Sequence, residues 1–464
     1  MNNTYKEFIS NLINSVTQNR DVAKARVILI KHYNSLDLTQ EIVKESFVDK
    51  KGIKYVYHEF DGSVMADAYE PFLSSIKSIF YKEYDMTIDE FFDECGVYEL
   101  HRSVLKSYFE TGICKRADEV LVTEYQYECH MMQEAICNML KYISSKEKLV
   151  FVFNRLNNAN ESTIRILLGM IDNEKYNDIS IIATYNEMNN IPDCVLDLWE
   201  EYMNYLVRND SVVEWSFNEN KISNNFKNNF IFYVEKIPEY IDKLRNMYHM
   251  MAIRQAEYYF NLIYKKIEVE ELDIPERYAF DFMELYAQIA LMLDNNSDAI
   301  IYVEAMKNIS DKSLSEKNNT DRHNSDKNIS DKEFRYKYLL SQIYMLSGLN
   351  EESKKAALEC YAIAKEQGNE FAMFRAELAH FAAVYSGWKE IIFLDRHSEV
   401  PNNLLENAKK YGYYNQLAHI YVFAFDNNGE QFRDIDKLEE NLKHFYKGIN
   451  LAKSLGNESL LVEG

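Results

Sequence analysis

The sequence predicts a doubly wound α/β domain followed by an all-α solenoid. Through the first 190 or so residues, short apolar runs alternate with amphipathic helical stretches, as in a parallel sheet with helical crossovers. Strand signals fade after about residue 222, where helical periodicity takes over. A helix-closing motif then recurs at equal spacing towards the C-terminus. At 464 residues the chain can hold two to four units, each with its own core. Only 13 Gly and 5 Pro leave too little punctuation for a sandwich or barrel of many tight turns.

In chain order, residues 4–19 read as an amphipathic helix and Arg26-Val-Ile-Leu-Ile30 as a strand buried on both faces. Leu38 to Phe47 reads as helical, and Ile53 to His58 supplies a second strand. Residues 66–144 are mostly helical in pattern, with Pro71 suited to a helix start and a long periodic stretch from Thr123 to Tyr142. Lys148 to Phe153 and Ile179 to Thr184 are the third and fourth strands, separated by a helix from Glu161 to Ile171. This assigns residues 1–220 to the α/β domain.

Residues 221–307 read as a helical connector with the first repeat-like hairpins, in which Phe230 to Val234 is ambiguous between strand and helix. Between Asn308 and Lys332 almost nothing is apolar, and Asn-Ile-Ser-Asp-Lys occurs at both 308–312 and 328–332. Such a composition cannot offset its ordering entropy, so 308–332 is expected to be a flexible insertion.

Residues 333–464 carry the repeat signal. Ala-Lys-x-x-Gly occurs at Ala364, Ala408 and Ala452, each 44 residues from the last. Each copy has the chemistry of a helix C-terminus: a cation at the negative end of the dipole, and a glycine able to adopt the left-handed conformation. Leu340, Ser341, Tyr344, Gly348, Ser353, Ala357 and Cys360 resemble the large-and-small pattern of a tetratricopeptide repeat, and Leu417, Ala418 and Tyr421 echo its first helix. The resemblance covers about residues 335–464; the 44-residue period exceeds the usual repeat and implies longer helices or turns. After Gly456 the chain begins another copy of the pattern seen at Asn369-Glu370-Phe371, so the array is expected to be incomplete at residue 464.

Charge narrows the functions available. The formal net charge is −22, which repels phosphate backbones and anionic lipid. The densest basic pairs, Lys265-Lys266 and Lys409-Lys410, are short and lie in helical patterns. Neither a nucleic acid nor a membrane is therefore an expected partner, and no apolar run approaches spanning length. Six scattered cysteines without a CxxC pair fit reduced thiols in the cytoplasm. Cys129, His130 and Cys137 lack a fourth ligand, so no metal is expected. His101, His130 and His249 show no triad spacing, and the acid pairs around Asp89-Glu90 and Asp93-Glu94 read as solvated helix faces.

A phosphate-binding loop would follow the first strand, where glycines wrap the phosphates, lysine neutralises them and Ser/Thr holds magnesium. Here the chain reads His32-Tyr-Asn-Ser-Leu-Asp-Leu-Thr39. His32 and Asp37 stand at the glycine positions and Leu38 at the lysine position; only Thr39 agrees. Further on, Phe151-Val-Phe-Asn-Arg-Leu-Asn-Asn-Ala-Asn-Glu-Ser-Thr163 looks like a Walker B strand with its following turn, but Asn154 and Arg155 replace the two acids. Asn160 replaces a later aspartate, whereas Glu161, Ser162 and Thr163 match. Ile181-Ile-Ala-Thr-Tyr-Asn186 looks like a sensor strand with Asn186 in place of arginine, and Tyr69-Glu-Pro-Phe72 is a further matching segment.

In this order, over about residues 20–215, the set resembles the signal-transduction NTPases with numerous associated domains, the class containing maltose-regulator-like bacterial activators. The resemblance implies a P-loop-type domain, and the departures imply that its nucleotide chemistry is lost: no phosphate countercharge at Leu38, added repulsion at Asp37, and no carboxylate at Asn154 or Arg155 to hold magnesium. Hydrolysis is expected to be absent or very slow and no cofactor is required. ATP with magnesium belongs to a competing reading in which the chain is an NTP-binding switch, with Thr39 as its retained position. The expected function is that of a signalling scaffold, with a protein partner captured on the helical repeats; self-association through them is compatible with the sequence. By analogy with the resembling family, the chain is also readable as the sensory part of a longer protein whose output is a diguanylate cyclase or a transcriptional regulator.

Overall fold

The computed structural model describes residues 3–18, 26–32, 38–116, 118–119, 124–171, 176–186, 191–215, 230–270, 274–315, 322–386, 402–423 and 435–463. The N-terminal domain runs α1 (Asn3–Gln18), β1 (Arg26–His32), α2 (Gln40–Phe47), β2 (Ile53–Glu59), α3 (Phe72–Glu83), α4 (Ile88–Cys95), α5 (Glu99–Thr111) and α6 (Tyr125–Lys146). It continues with β3 (Lys148–Asn154), α7 (Glu161–Ile171), β4 (Ile179–Asn186), α8 (Leu196–Arg208) and β5 (Val212–Trp215). Among the described residues the strands form one parallel sheet in the order β2-β3-β4-β1-β5.

The apolar runs are continuous because both faces of the sheet are covered. Ile28 and Ile30 of β1, with Val150, Val152 and Ile182, face α1 and α2, where Tyr5, Ile9, Ile13, Leu38, Ile42 and Val43 close a small core. Val27 and Leu29, with Phe151, Phe153, Ile179 and Ile181, face the opposite layer. That larger core does not stop at the sheet: it runs on through Tyr240, Leu244, Phe260, Phe282 and Ile289. The α/β domain and the first helices of the C-terminal region therefore share one hydrophobic core.

Those helices are α9 (Ile237–His249), α10 (Ile253–Val269), α11 (Glu276–Met292) and α12 (Asn296–Ser315). They are followed by α13 (Arg322–Leu346), α14 (Asn350–Glu366), α15 (Glu370–Ser386), α16 (Asn402–Tyr411), α17 (Tyr414–Phe423), α18 (Ile435–Leu455) and α19 (Glu458–Glu463). The ambiguous stretch at Phe230 resolves as irregular chain up to Tyr233 and a short 3₁₀ turn at Val234–Lys236. Consecutive helices pack on one another from α11 to α19, the arrangement of a helical solenoid.

One expectation is corrected within 308–332. Residues 308–315 extend α12 and residues 322–332 open α13, whereas 316–321 lie outside the described residues. Extending an existing helix is cheap because the nucleus is already formed, and Ile309 adds packing against the α11–α13 core.

The recurring glycines close helices. Gly368, Gly412 and Gly456 have φ of 64°, 76° and 75°. The residue after each donates its N–H back to the motif alanine: Asn369 to Ala364 (3.0 Å), Tyr413 to Ala408 (2.8 Å) and Asn457 to Ala452 (2.9 Å). This six-to-one bond is the Schellman closure. The three alanines are fully buried, so the motif records packing as well as capping.

Candidate functional site

In open parallel sheets ligands bind beyond the carboxyl ends of the strands, where the winding reverses. Here the chain leaves β1 for the distant β2 and later crosses β1 to reach β5, so β1 marks the reversal. Its last residue, His32, is buried and lies between Asn186 of β4 and Trp215 of β5 in register. The positions singled out by sequence are thus carried to one edge of the sheet.

Asn154 organises that edge. Its fully buried side chain accepts from the Leu38 N–H (3.3 Å) and the Thr184 hydroxyl (2.8 Å) through Oδ1. Its Nδ2 is buried with no partner among the described residues. Leu38 is fully buried in the small core; its carbonyl accepts from the Tyr57 hydroxyl (2.8 Å). Thr39 is half-buried at the N-cap of α2, with no side-chain capping bond. Asp37 lies outside the described residues.

Arg155 adopts a left-handed backbone, φ 58°, and donates its N–H to Thr184 Oγ1 (3.1 Å). Its guanidinium pairs with Glu59 at the end of β2 (3.0 Å). Asn186 donates its N–H to Asn157 (3.3 Å). The segment 160–163 ties neighbouring elements together: Asn160 caps α7 by accepting from the Thr163 N–H (2.8 Å), while Ser162 accepts from the Tyr69 N–H and donates to Gln255 of α10, both at 2.7 Å.

Beside this segment a cavity of about 270 Å³ lies between the sheet edge and α10. Glu161, Asp193, Gln255 and Tyr258 line it, and its described lining includes no lysine or arginine. Among the described residues no group of three or more His, Cys, Asp and Glu is placed to hold a metal ion, and no helix is long and apolar enough to cross a membrane.

Sequence reasoning missed a second polar locus, between α5 and α6. Arg116 is buried against Asp118 (2.9 Å) and Glu128 (2.6 Å). Burial opposes its charge, but the two carboxylates outweigh burial and hold the guanidinium protonated. Burial pushes the Glu128 carboxyl up to about 6 despite Arg116. His101 on α5 is also fully buried, neither ring nitrogen has a partner among the described residues, and burial with Arg116 pushes its pKa down to about 3. No local motif marks these residues: Asp118 lies two positions from Arg116, but Glu128 and His101 come from α6 and α5.

The sequence matches no known family model, and no curated protein is similar to it. Among solved structures, a Signal Transduction ATPase with Numerous Domains protein with a tetratricopeptide repeat sensor from Pyrococcus horikoshii aligns at a TM-score of 0.34 and 11% identity, over 97% of this chain and 77% of that one.

Proposed function

We propose that the chain is a regulatory scaffold in signal transduction: its α/β domain is a nucleotide-independent platform, and its helical repeats capture a protein partner. The observation that carries the first half is Leu38. Where a phosphate-binding loop places its lysine, this chain buries an apolar side chain in the core and ties the backbone N–H to Asn154. Arg155 paired with Glu59, and a neighbouring cavity bearing Glu161 and Asp193, add no site for a magnesium–phosphate group. The competing reading, an NTP-binding switch, draws its support from the cavity and the winding reversal at β1; the lining charge opposes it.

The second half is supported by the solenoid, whose stacked hairpins create an extended inner surface, and by exposed aromatic side chains such as Tyr414 and Tyr446. The immobilised 464-residue chain should retain a protein partner from its native cell extract, and Tyr414→Ala with Tyr446→Ala should reduce the amount retained. Equal retention by the variant and the parent would contradict this assignment of the surface.

A further inference from the structure

A second cavity, of about 240 Å³, lies where the connection between α5 and α6 meets α9, α11, α13 and α15. Its described lining carries four guanidinium groups: Arg116, Arg245 of α9, Arg335 of α13 and Arg375 of α15. Three carboxylates, those of Asp118, Glu119 and Glu284, share the wall. In a chain of net charge −22, a wall with more guanidinium groups than carboxylates runs against the field of the molecule.

The hydrogen bonds of the wall determine what complements it. Its acceptors are engaged: Glu119 accepts from Arg375 Nε (2.6 Å) and the Tyr338 hydroxyl (2.5 Å), Asp118 from Arg116 Nε (2.9 Å), and both oxygens of Glu284 from Arg335. Its donors are not. The Arg116 side chain is 1% exposed, and Glu128 reaches its Nη1 (2.6 Å), but Nη2 is buried with no hydrogen-bond partner among the described residues. Nδ1 of His249 is likewise buried without a partner among them. Arg245 comes no closer than 3.8 Å to Asp242 and Asp281, beyond hydrogen-bond reach. Burial, with Arg116 and Arg245 nearby, pushes the His249 pKa down to about 4, so the neutral ring can present Nδ1 as a donor. Such a wall is matched by acceptors, and an oxyanion bonds guanidinium groups most strongly. Leu285 and Met292 of α11 and Leu339 of α13 supply apolar wall, which suits an organic body rather than a bare inorganic ion. A cavity of about 150 Å³ admits benzene, so about 240 Å³ admits a molecule of roughly ten non-hydrogen atoms.

We propose that this cavity is a binding site for a small organic acid, whose carboxylate is held by Arg116, Arg245 and His249 and whose hydrocarbon body lies against α11 and α13. The site is separate from the sheet edge and needs neither a nucleotide nor a protein partner. Arg116 belongs to the α/β domain, whereas α9, α11 and α13 belong to the helical region, so an occupant bridges the two and stabilises the folded chain in proportion to its binding.

The test is isothermal titration calorimetry of the 464-residue chain with butyrate, glutarate and benzoate, and with butyramide, benzamide and inorganic phosphate as comparators. At least one of the acids should bind with a dissociation constant below about 1 mM, and about tenfold or more tightly than the amides or phosphate. Arg245→Gln, at a position whose ion pairs are long, should weaken that binding about tenfold or more. Gln288→Phe, which fills the cavity without altering its charge, should abolish it. Circular dichroism checks that both variants fold, and the thermal midpoint of the parent chain should rise with the bound acid. Absence of binding by all three acids, equal binding of the amides or of phosphate, or binding that survives both substitutions would overturn the proposal.

Discussion

Two glycines in the same motif should respond differently to the same substitution, and the difference measures how firmly the repeats are docked on the α/β domain. Gly368 and Gly456 both close helices at φ of 64° and 75°, so alanine at either costs about 1 kcal/mol for a left-handed backbone. A Cβ at Gly368 would have no neighbour within 4 Å. At Gly456 it would lie 2.5 Å from Cγ and 2.9 Å from Cβ of Tyr98, the residue that opens α5. Relieving that overlap must move Tyr98 or the helix end, an overpacking cost of roughly 2 kcal/mol. Movement of the helix end would also disturb the Tyr127 hydroxyl, which donates to the Gly456 carbonyl (2.7 Å) and accepts from the Glu458 N–H (2.9 Å). Gly368→Ala should therefore lose about 1 kcal/mol and Gly456→Ala about 3 kcal/mol in urea unfolding followed by far-ultraviolet circular dichroism. Equal losses would refute the argument that the last repeats bear on α5 and α6.

Asn154→Asp restores the acid of the resembling motif inside a fully buried site; with Arg155 engaged by Glu59, the variant should be destabilised by about 2 kcal/mol or more at pH 7 and should regain stability when the carboxyl protonates at lower pH. Unchanged thermal midpoints at pH 7 would contradict this. His101→Phe should flatten the acid side of the stability profile. With its pKa held at about 3 against 6.5 when unfolded, the imidazole binds a proton at pH 5 only in the unfolded chain, so stability falls as pH drops below 6.5, by about 2 kcal/mol at pH 5. Glu128, raised to about 6, acts in the opposite direction in both proteins, so their difference at each pH isolates His101; parallel profiles would exclude it. Gly448→Ala should cost roughly 1–3 kcal/mol, because its Cβ would lie 2.8 Å from both Tyr421 and Val422 across the α17–α18 contact; a neutral change in thermal midpoint would contradict that packing.

Three strands were legible because burial on both faces writes them as unbroken apolar runs, as at Val27–Ile30 and Leu149–Phe153, whereas β2, half-buried at the sheet edge, was legible from its β-branched and aromatic residues. The fifth was not: Val212–Trp215 is four residues long and includes Glu214, too little pattern to separate from a loop. The Ala-Lys-x-x-Gly copies were legible because one local motif determines both cap and packing. At the sheet edge, the identities of His32, Leu38, Asn154, Arg155 and Asn186 could be read from the sequence, but what they bond to could not. The bond from Leu38 to Asn154 spans 116 positions, and Asn154 reaches across to Thr184. The contacts of Glu119 and Glu124 with the repeats were the least legible feature: their partners lie 219 to 333 residues away. Hydrophobic period and cap chemistry report local structure; contacts of that range are set only by how the solenoid curves back.

The most direct test of the proposed nucleotide-independent platform is isothermal calorimetry of the 464-residue chain with ATP and GTP, each with magnesium. With Leu38 and Asn154 both fully buried, the proposed reading predicts no binding heat up to millimolar nucleotide. Micromolar binding, or turnover that disappears in Thr39→Ala, would contradict the account.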